Sequence, residues 1–595
     1  MNPLATKSTL NPGSTTSSGS VINSVSGCPE TPPVQAPQRR TEDRDASVTE
    51  KIGAGEATAA GKPGQNNQEE ENEEINDYDP RNLGIYKLSL ILIGLNLSVF
   101  LIGLDNTIIS TAIPKITDNF HALGDVGWYA SSYLLTTCAF QLMWGELYTL
   151  YSIKWTYITA LFIFELGSLI CAVAPNSTSL IAGRAIAGVG SGGVTNGAFL
   201  LVAHLVLPRQ RPTLVGMIGG MYGFASIAGP LMGGAFTDNT KLTWRWCFYI
   251  NLPLGLITGL IMTFVYRPRM RKGRKISLID QLKQMDLPGT AVILLGVIFL
   301  VLALRWGGTK YEWKNRRIIA LLAIAAALLV GFVIIQIISG DRATVPPRVF
   351  CNRNIWGSAL FGSGVTACFF TMLYYIPIWF QAIKGVSAVK SGVMNLPMIL
   401  SFVIFSFLGG TLTSLTGYYV QFTYLTVILM AIGTGLLTTL KVDSGHPEWI
   451  GYQFILGAGI GLGLQAAFVS TQTALPLEDI PIGTATIMFS ENLAAAIMVS
   501  VAQNVFTNQL MRNLGTHVPG FDGHSILTIG ATQIKNKVPP ELYDAVLIAY
   551  NRSLAQTFYV GVGLSCIGLL GVVWLEWLSV NKVKDKLSDA AQGPP

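Results

Sequence analysis

Apolar runs of about 18–25 residues, long enough to cross roughly 30 Å of hydrocarbon at 1.5 Å per residue, recur from Tyr86 onward, separated by short polar breaks. They fall near 86–110, 126–148, 155–174, 179–202, 213–236, 247–266, 287–305, 318–338, 355–377, 391–414, 419–440, 450–473, 484–507 and 556–578. The pattern predicts an all-α membrane protein with fourteen transmembrane helices, and an even number puts both termini on one side. The runs are too long and too continuously apolar for the alternating ten-residue strands of an outer-membrane barrel. Residues 1–83 break the pattern. They are rich in Ser, Thr, Pro, Gly, Asn and Glu, end in Glu69-Glu70-Glu71-Asn72-Glu73-Glu74, and have almost no aromatic side chains. Such a segment buries too little apolar area to offset its chain entropy, so disorder is expected. No apolar h-region follows Met1, and no cleaved signal peptide is expected.

Composition agrees with the periodicity. Hydrophobic residues make up 50% and charged residues 12% of the 595 positions, against about 25% charged in soluble proteins. That is too few charges to cover a water-soluble surface. The seven cysteines stand singly, mostly in apolar runs and without CxxC spacing, and read as small buried hydrophobes rather than disulfides or metal ligands. The net charge of +6 is no nucleic-acid signal, because its densest run, Arg267 to Lys275, lies between two apolar stretches. Arg267, Arg269, Arg271, Lys272, Arg274, Lys275 and Lys283 share a face with Lys582, Lys584 and Lys586, and the positive-inside rule assigns that face to the cytoplasm. Lys310, Lys314, Arg316 and Arg317, in the next loop, argue the other way.

Gly188, Gly190 and Gly192 recur at a constant offset as Gly457, Gly459 and Gly461, which fits a duplicated six-helix unit. At that offset Arg184 corresponds to Gln453, so the charge belongs to the first half. The same glycines match GxGxxG, but inside an apolar span with no preceding strand they serve close helix approach rather than a dinucleotide. Gly61-Lys62 is followed by Pro63 and lacks the upstream glycine of a phosphate loop. With no ATP-binding domain, energy for transport would come from an ion gradient or from the substrate's own gradient. No His cluster, nucleophile triad or metal spacing points to an enzyme, and no cofactor or metal is expected.

The fifth span holds Gly216, Gly219, Gly220, Gly223, Gly229, Pro230, Gly233 and Gly234. Small residues permit backbone contact, and Pro230 removes an intrahelical hydrogen bond. This is either ordinary small-residue packing or a hinge or seal between two moving bundles. Gly223-Phe-Ala-Ser-Ile-Ala-Gly229-Pro230-Leu-Met-Gly233-Gly234 resembles the antiporter motif of the major facilitator superfamily. Leu104-Asp105-Asn-Thr107-Ile-Ile-Ser-Thr-Ala-Ile-Pro114, Ala182-Gly183-Arg184-Ala-Ile-Ala-Gly188-Val-Gly190 and Trp244-Arg245-Trp246-Cys-Phe-Tyr-Ile-Asn251-Leu-Pro253-Leu-Gly255 resemble motifs of its fourteen-span drug:proton antiporter branch. Tyr374-Tyr375-Ile-Pro377-Ile-Trp379-Phe380-Gln381, with Ser391-Gly392 and Pro397, is similar to fungal toxin-efflux members. The resemblance covers about residues 84–580. Two departures stand out. After the second span the family's loop motif places an Asp four residues beyond a Gly, whereas Gly145 is followed by Thr149 with Lys154 retained and Glu146 as the substitute acid. In the thirteenth span Ser490-Glu491-Asn492 introduces an extra acid.

Ionisable groups at bilayer depth cost about 2.5–3.5 kcal/mol each and so call for a partner or a task. Asp105, about five residues before the outer end of the first span, and Arg184, about five after the outer start of the fourth, lie at equal depth. Their pairing would be either a static tether or a switch in which Asp105 keeps its charge beside Arg184 and takes a proton when substrate or motion separates them. Glu165, mid-way through the third span, is read as a structural hydrogen-bond former or a proton carrier. Glu491, with Asn492, Gln503 and Asn504 on its helix, is read as facing an aqueous path. Glu576 sits near the end of the last span, where reaching to water is the default. Tyr133, Gln141, Tyr374, Tyr375, Gln465 and Gln472 are candidates to line an amphipathic cavity, or simply to pack. Asn176 and Asn551 match the glycosylation pattern but lie too close to a span.

The resemblance implies two six-helix bundles, 84–266 and 354–580, joined by a basic cytoplasmic loop and two extra transmembrane helices over 267–353, between tails 1–83 and 581–595. It implies a monomeric proton-coupled antiporter in the lipid bilayer, exporting a hydrophobic small molecule such as a fungal secondary metabolite at the plasma membrane. Asp105, Arg184, Glu165 and Glu491 would carry protons, Gly223, Gly229, Pro230, Gly233 and Gly234 would form the hinge, and Gly145 and Lys154 the gating loop. The alternatives are a vacuolar basic amino-acid or siderophore carrier of the same fold, and a non-transporting membrane sensor whose acidic tail binds a cytoplasmic partner.

Overall fold

The computed structural model describes residues 84–121, 125–239, 242–267, 285–308, 311–518 and 538–581. The expected disordered tail 1–83, most of the basic loop and the C-terminal lysines lie outside the described residues. Fourteen helices carry the fold: α1 Ile85–Phe120, α2 Val126–Leu150, α3 Ile153–Val173, α4 Ser177–Leu205, α5 Arg211–Asp238, α6 Trp246–Phe264, α7 Leu287–Trp306, α8 Arg316–Ser339, α9 Arg353–Ile383, α10 Leu396–Thr416, α11 Val420–Leu437, α12 His446–Ala474, α13 Ile480–His517 and α14 Pro540–Val573. In lipid every backbone polar group must be satisfied within the chain, and helices do this segment by segment. Their starts carry the expected caps: Asn176, Asp286, Asn315 and Asn352 accept from the first-turn amides of α4, α7, α8 and α9. Gly417, at φ 79°, ends α10 in the left-handed region that glycine adopts without strain.

Thirteen of these helices are long and apolar enough to cross a membrane. The fourteenth, α2, has 25 residues, ample length, but is diluted by Ser131, Ser132, Thr136, Thr137, Gln141 and Glu146. A fourteen-span arrangement is compatible with both facts.

Several boundaries differ from the sequence pattern. Helix α1 runs on to Phe120, so Asp105 lies well inside it rather than near its end; hydrophobicity falls after Ile109, but the backbone ladder continues. The twelfth span is broken at Leu464–Gln465. The last helix ends at Val573, so Glu576 lies beyond it. Glu576 is not simply reaching for water: it pairs with Arg353 and accepts from Asn354 Nδ2 at 3.0 Å, tying the starts of α9 and the end of α14 together.

Helices α1–α6 pack among themselves, as do α9–α14. The glycine echo is visible in the packing. Gly188 backs onto Tyr133 of α2 and Gly190 onto Ala160 and Phe164 of α3, while Gly457 backs onto Met398 of α10 and Gly459 onto Leu429 and Met430 of α11. The two groups of helices meet along two seams, α5 with α10 and α2 with α13. Helix α7 lies in the second seam, and α8 packs on α7.

The face where α1 begins and α2, α4 and α6 end, called inner here, is the one the charge rule assigns to the cytoplasm. Bonds between the bundles gather there. Gln472 Nε2 donates to the Phe199 carbonyl at 3.2 Å, Arg211 Nη1 to the Gln472 carbonyl at 3.2 Å, Ser406 Oγ to the Gly216 carbonyl at 3.0 Å, and Thr213 pairs with Ser414 at 2.8 Å. Phe199 stacks on Phe468 with centroids 4.3 Å apart. Along α13 every residue from Ile480 to Met488 is buried, whereas beyond it burial becomes intermittent. The seams are thus tight on the inner half and loose on the outer.

Candidate functional site

Asp105 on α1 and Arg184 on α4 are fully buried and in contact, with Nη1 2.5 Å from Oδ2. The same Nη1 reaches the Asp105 carbonyl at 3.3 Å, Nε donates to the Tyr129 carbonyl at 2.9 Å, and the guanidinium lies 4.3 Å from the centre of the Tyr133 ring. Nη2 is buried with no hydrogen-bond partner. The other carboxylate oxygen of Asp105 accepts from Asn251 Nδ2 at 3.1 Å, and Asn251 also donates to Ser168 Oγ at 3.1 Å. Helices α1, α2, α3, α4 and α6 therefore converge on one carboxylate. An arginine stays charged at any working pH. Removing one partner of such a buried pair costs about 3–5 kcal/mol, because the other charge is left uncompensated.

Asn251 and Ser168 are the members that sequence reasoning missed. Asn251 stood inside the Trp244–Gly255 run, and that run was its only signal. A hydrogen bond to a charged group contributes about 1.5–3 kcal/mol. Asn251→Ala is accordingly expected to lower gradient-driven transport about ten-fold, with substrate exchange at equal pH on both sides far less affected. Side-by-side measurement of the two modes checks this.

Glu165 packs against Gly255 of α6, one turn beyond Asn251, and both carboxyl oxygens lack hydrogen-bond partners. It lies one turn from Ser168 on α3 and within electrostatic reach of Asp105. The structure thus brings Glu165 to the edge of the Asp105 cluster. Glu491 belongs to a different place: it is buried in the other bundle, on α13, beside Gly362 and Thr366 of α9.

The fifth-span glycines divide by face. Gly223 backs onto Phe402 and Val403 of α10, across the seam, but Gly229 and Gly233 back onto Thr107, Ile108 and Thr111 of α1 within the same bundle, and Gly234 has nothing within 4 Å. Pro230 lies inside α5 without ending it. Of the motif glycines Gly223 makes the seam contact, joined by Gly216 against Ser406 and Gly410 and by Gly219 against Gln465. A helix presents only one face to a given partner, and these positions share the one turned to the second bundle.

Gly145 also closes a seam, meeting Ala485 and the Pro481 carbonyl of α13. Lys154 does not reach across. Its ammonium donates to the Thr263 and Tyr266 carbonyls at 2.6 and 2.7 Å, holding the end of α6 to the start of α3. Glu146, the acid beside Gly145, is buried, and among the described residues neither of its oxygens meets a basic group.

The expected cavity residues separate as well. Gln141 donates to Met488 Sδ at 3.2 Å, Gln465 lies against Gly219, and Gln472 bonds Phe199. These three amides are buried in the inner seal rather than lining an open cleft, because each bridges the two bundles where they touch. Tyr133 is buried over Arg184, and Tyr375 donates to Gln503 Oε1 at 3.0 Å. Tyr374 is 54% exposed, with Phe370, Pro377 and Gln381 partly exposed along the same face of α9.

Residues 95–499 match the family model described as Major Facilitator Superfamily. Among curated proteins the chain is 51% identical over 499 residues to an MFS-type efflux pump, MFS1, of Arthroderma benhamiae, covering 84% of this chain and 93% of that one. It is 48% identical to efflux pump aflT of Aspergillus parasiticus (83% and 96% covered) and 47% identical to efflux pump roqT of Penicillium rubens (83% and 92%). Among solved structures it is similar in fold to the proton:xylose symporter XylE, with TM-score 0.54 at 15% identity over 84% of this chain and 99% of that one. The human organic anion transporter MFSD10 gives 0.53 at 13% identity over 82% and 99%.

Proposed function

The chain belongs to the major facilitator superfamily, and from that membership we propose that it is a proton-coupled antiporter that exports a hydrophobic organic compound, of the secondary-metabolite class, across the fungal plasma membrane. It is a multi-pass membrane transporter of small molecules, not an enzyme. Export is favoured by its likeness to fungal proteins named efflux pumps over most of their length. Proton coupling rests on one observation, the fully buried Asp105–Arg184 pair with Asn251 on its second oxygen.

The two bundles, 84–266 and 354–580, rock about the substrate as monomeric alternating-access machinery, with 267–353 inserted between them and tails at 1–83 and 581–595. A ligand shifts such an equilibrium only by its differential affinity for the two states. In the inner-sealed state a proton from outside neutralises Asp105, Arg184 turns its free donors elsewhere, and α1 and α4 lose their tether. After rocking, the proton leaves to the more alkaline inside and the pair re-forms as new cargo binds. Glu165, at the edge of the cluster, holds a proton close to Asp105. Glu491 serves the second bundle, and Tyr374, on the exposed face of α9, meets an apolar aromatic cargo.

The test uses full-length protein in liposomes with an imposed pH difference and a lipophilic fluorescent dye as probe cargo. Dye transport is expected to follow the gradient and to fall to leak level when a protonophore collapses it. Transport indifferent to the protonophore would remove proton coupling from the reading.

A further inference from the structure

The hairpin of α7 and α8 touches both bundles. Ile293, Val297 and Val301 of α7 share a buried cluster with Cys138, Ala139 and Leu142 of α2 and Ala485 of α13. At its outer end Trp306 meets Trp128 of α2 edge-on at 6.4 Å, and Trp313 Nε1 donates to Asn504 Oδ1 of α13 at 2.9 Å. At its inner end Asp286 starts α7. One of its oxygens accepts from the Gly289 amide at 2.8 Å, the other from Gln336 Nε2 at 2.6 Å and from the Thr344 amide and hydroxyl at 3.2 Å. Four donors and a helix N-terminus surround this carboxylate, the environment of an anion.

Beside it lies Glu146, on the residue next to the Gly145–Ala485 contact. Glu146 is 6% exposed, and neither of its oxygens has a hydrogen-bond partner. The groups facing it are the Thr290 and Thr344 hydroxyls and the Asp286 carboxylate. Among the described residues, Arg348 pairs with Asp341 and Asp479, and Lys154 binds the α6 carbonyls. Arg342 is exposed. Two adjacent buried carboxylates with no cation cost more than one carboxylate and one neutral acid. Of the two, Asp286 has the fuller set of donors; Glu146 faces only two hydroxyls, one of which already donates to Asp286.

We propose that Glu146 is a proton-binding site of the inner gate: the α2/α13 seam closes only when Glu146 is protonated, because the inserted hairpin holds the fixed anion Asp286 beside it. Closure takes one proton from the cytoplasmic side and opening returns it, so this proton is not the one carried across the membrane. The site makes the resting conformation depend on inner pH, and it gives the two extra helices a task that twelve helices would leave undone. The inference rests on the alternating-access reading but not on proton-driven export.

The experiment measures the gate itself, without cargo or gradient. Nitroxide labels replace Tyr151 and Leu477, exposed at the inner ends of α2 and α13, in full-length protein freed of its other cysteines. With Glu146 intact, the closed-to-open ratio is expected to fall about ten-fold per pH unit on the alkaline side, as for one proton. E146Q is expected to stay closed across that range, and D286N to show a smaller fall, because without the anion a charged Glu146 costs the closed seam less. A response in E146Q equal to that of the parent overturns the proposal, as does a D286N response as large as the parent's. If export proves indifferent to protonophore while these gate responses hold, the coupling reading fails and this site stands.

Discussion

Asp105→Asn abolishes gradient-driven export while the protein still folds and binds cargo. The amide keeps the shape of the side chain and one carbonyl oxygen for Arg184, so packing among α1, α2, α4 and α6 persists, but it can neither carry a proton nor balance the guanidinium. The lost charge–charge contact is of the order of 3–5 kcal/mol for a buried pair, and at about 1.4 kcal/mol per ten-fold change a rate controlled by that contact falls at least a hundred-fold. Arg184→Ala should be harsher on stability, because it leaves Asp105 and the Tyr129 carbonyl without their donor. Arg184→Lys retains a charge but cannot serve the Tyr129 carbonyl and Asp105 together, and belongs between the two. The informative comparison is dye transport against dye binding in the same preparation. Asp105→Asn that transports normally under a pH gradient would show the pair to be a tether and nothing more.

The pair was legible in the sequence because membrane charges are scarce and costly, so two of opposite sign at similar depth had few other partners. Its supports were not. A carbonyl at Tyr129 and an amide at Asn251 leave no compositional trace, and only packing decides which polar side chain of a motif points inward. The same limit explains the glutamines. Gln141, Gln465 and Gln472 are polar residues in apolar helices, which fits a cavity as well as a seal. They lie in the seal because small residues opposite them, Gly219 among them, let the bundles approach. Lys154 matched a gating motif by position, yet its reach is spent on two carbonyls of its own bundle. The all-helical membrane character was the most legible feature, since span length is set by bilayer thickness. Helix ends were the least, because hydrophobicity stops at the lipid boundary and the hydrogen-bond ladder does not, as α1 shows between Ile109 and Phe120.

Gly216→Leu is expected to hold the protein open on its inner side. A Cβ at this position would overlap the Ser406 carbonyl oxygen and come within 3.3 Å of Gly410 Cα, both backbone atoms of α10 that no rotamer change can move aside. Overpacking a tight contact costs about 1–3 kcal/mol, and here the cost falls only on the state in which α5 and α10 touch. At the upper end the ratio of sealed to open molecules drops about a hundred-fold, and export falls with it because the outward state is hardly visited. Gly234→Leu, on the same helix but with nothing within 4 Å, should leave export near its normal rate, which separates a seam effect from a general intolerance of leucine in α5. Spin labels at Arg209 and Leu415, exposed at the inner ends of the two helices, read the seam directly. Gly216→Leu with the parent's short distance and the parent's export rate would mean that the glycines of α5 serve packing within one bundle and that the bundles are sealed elsewhere.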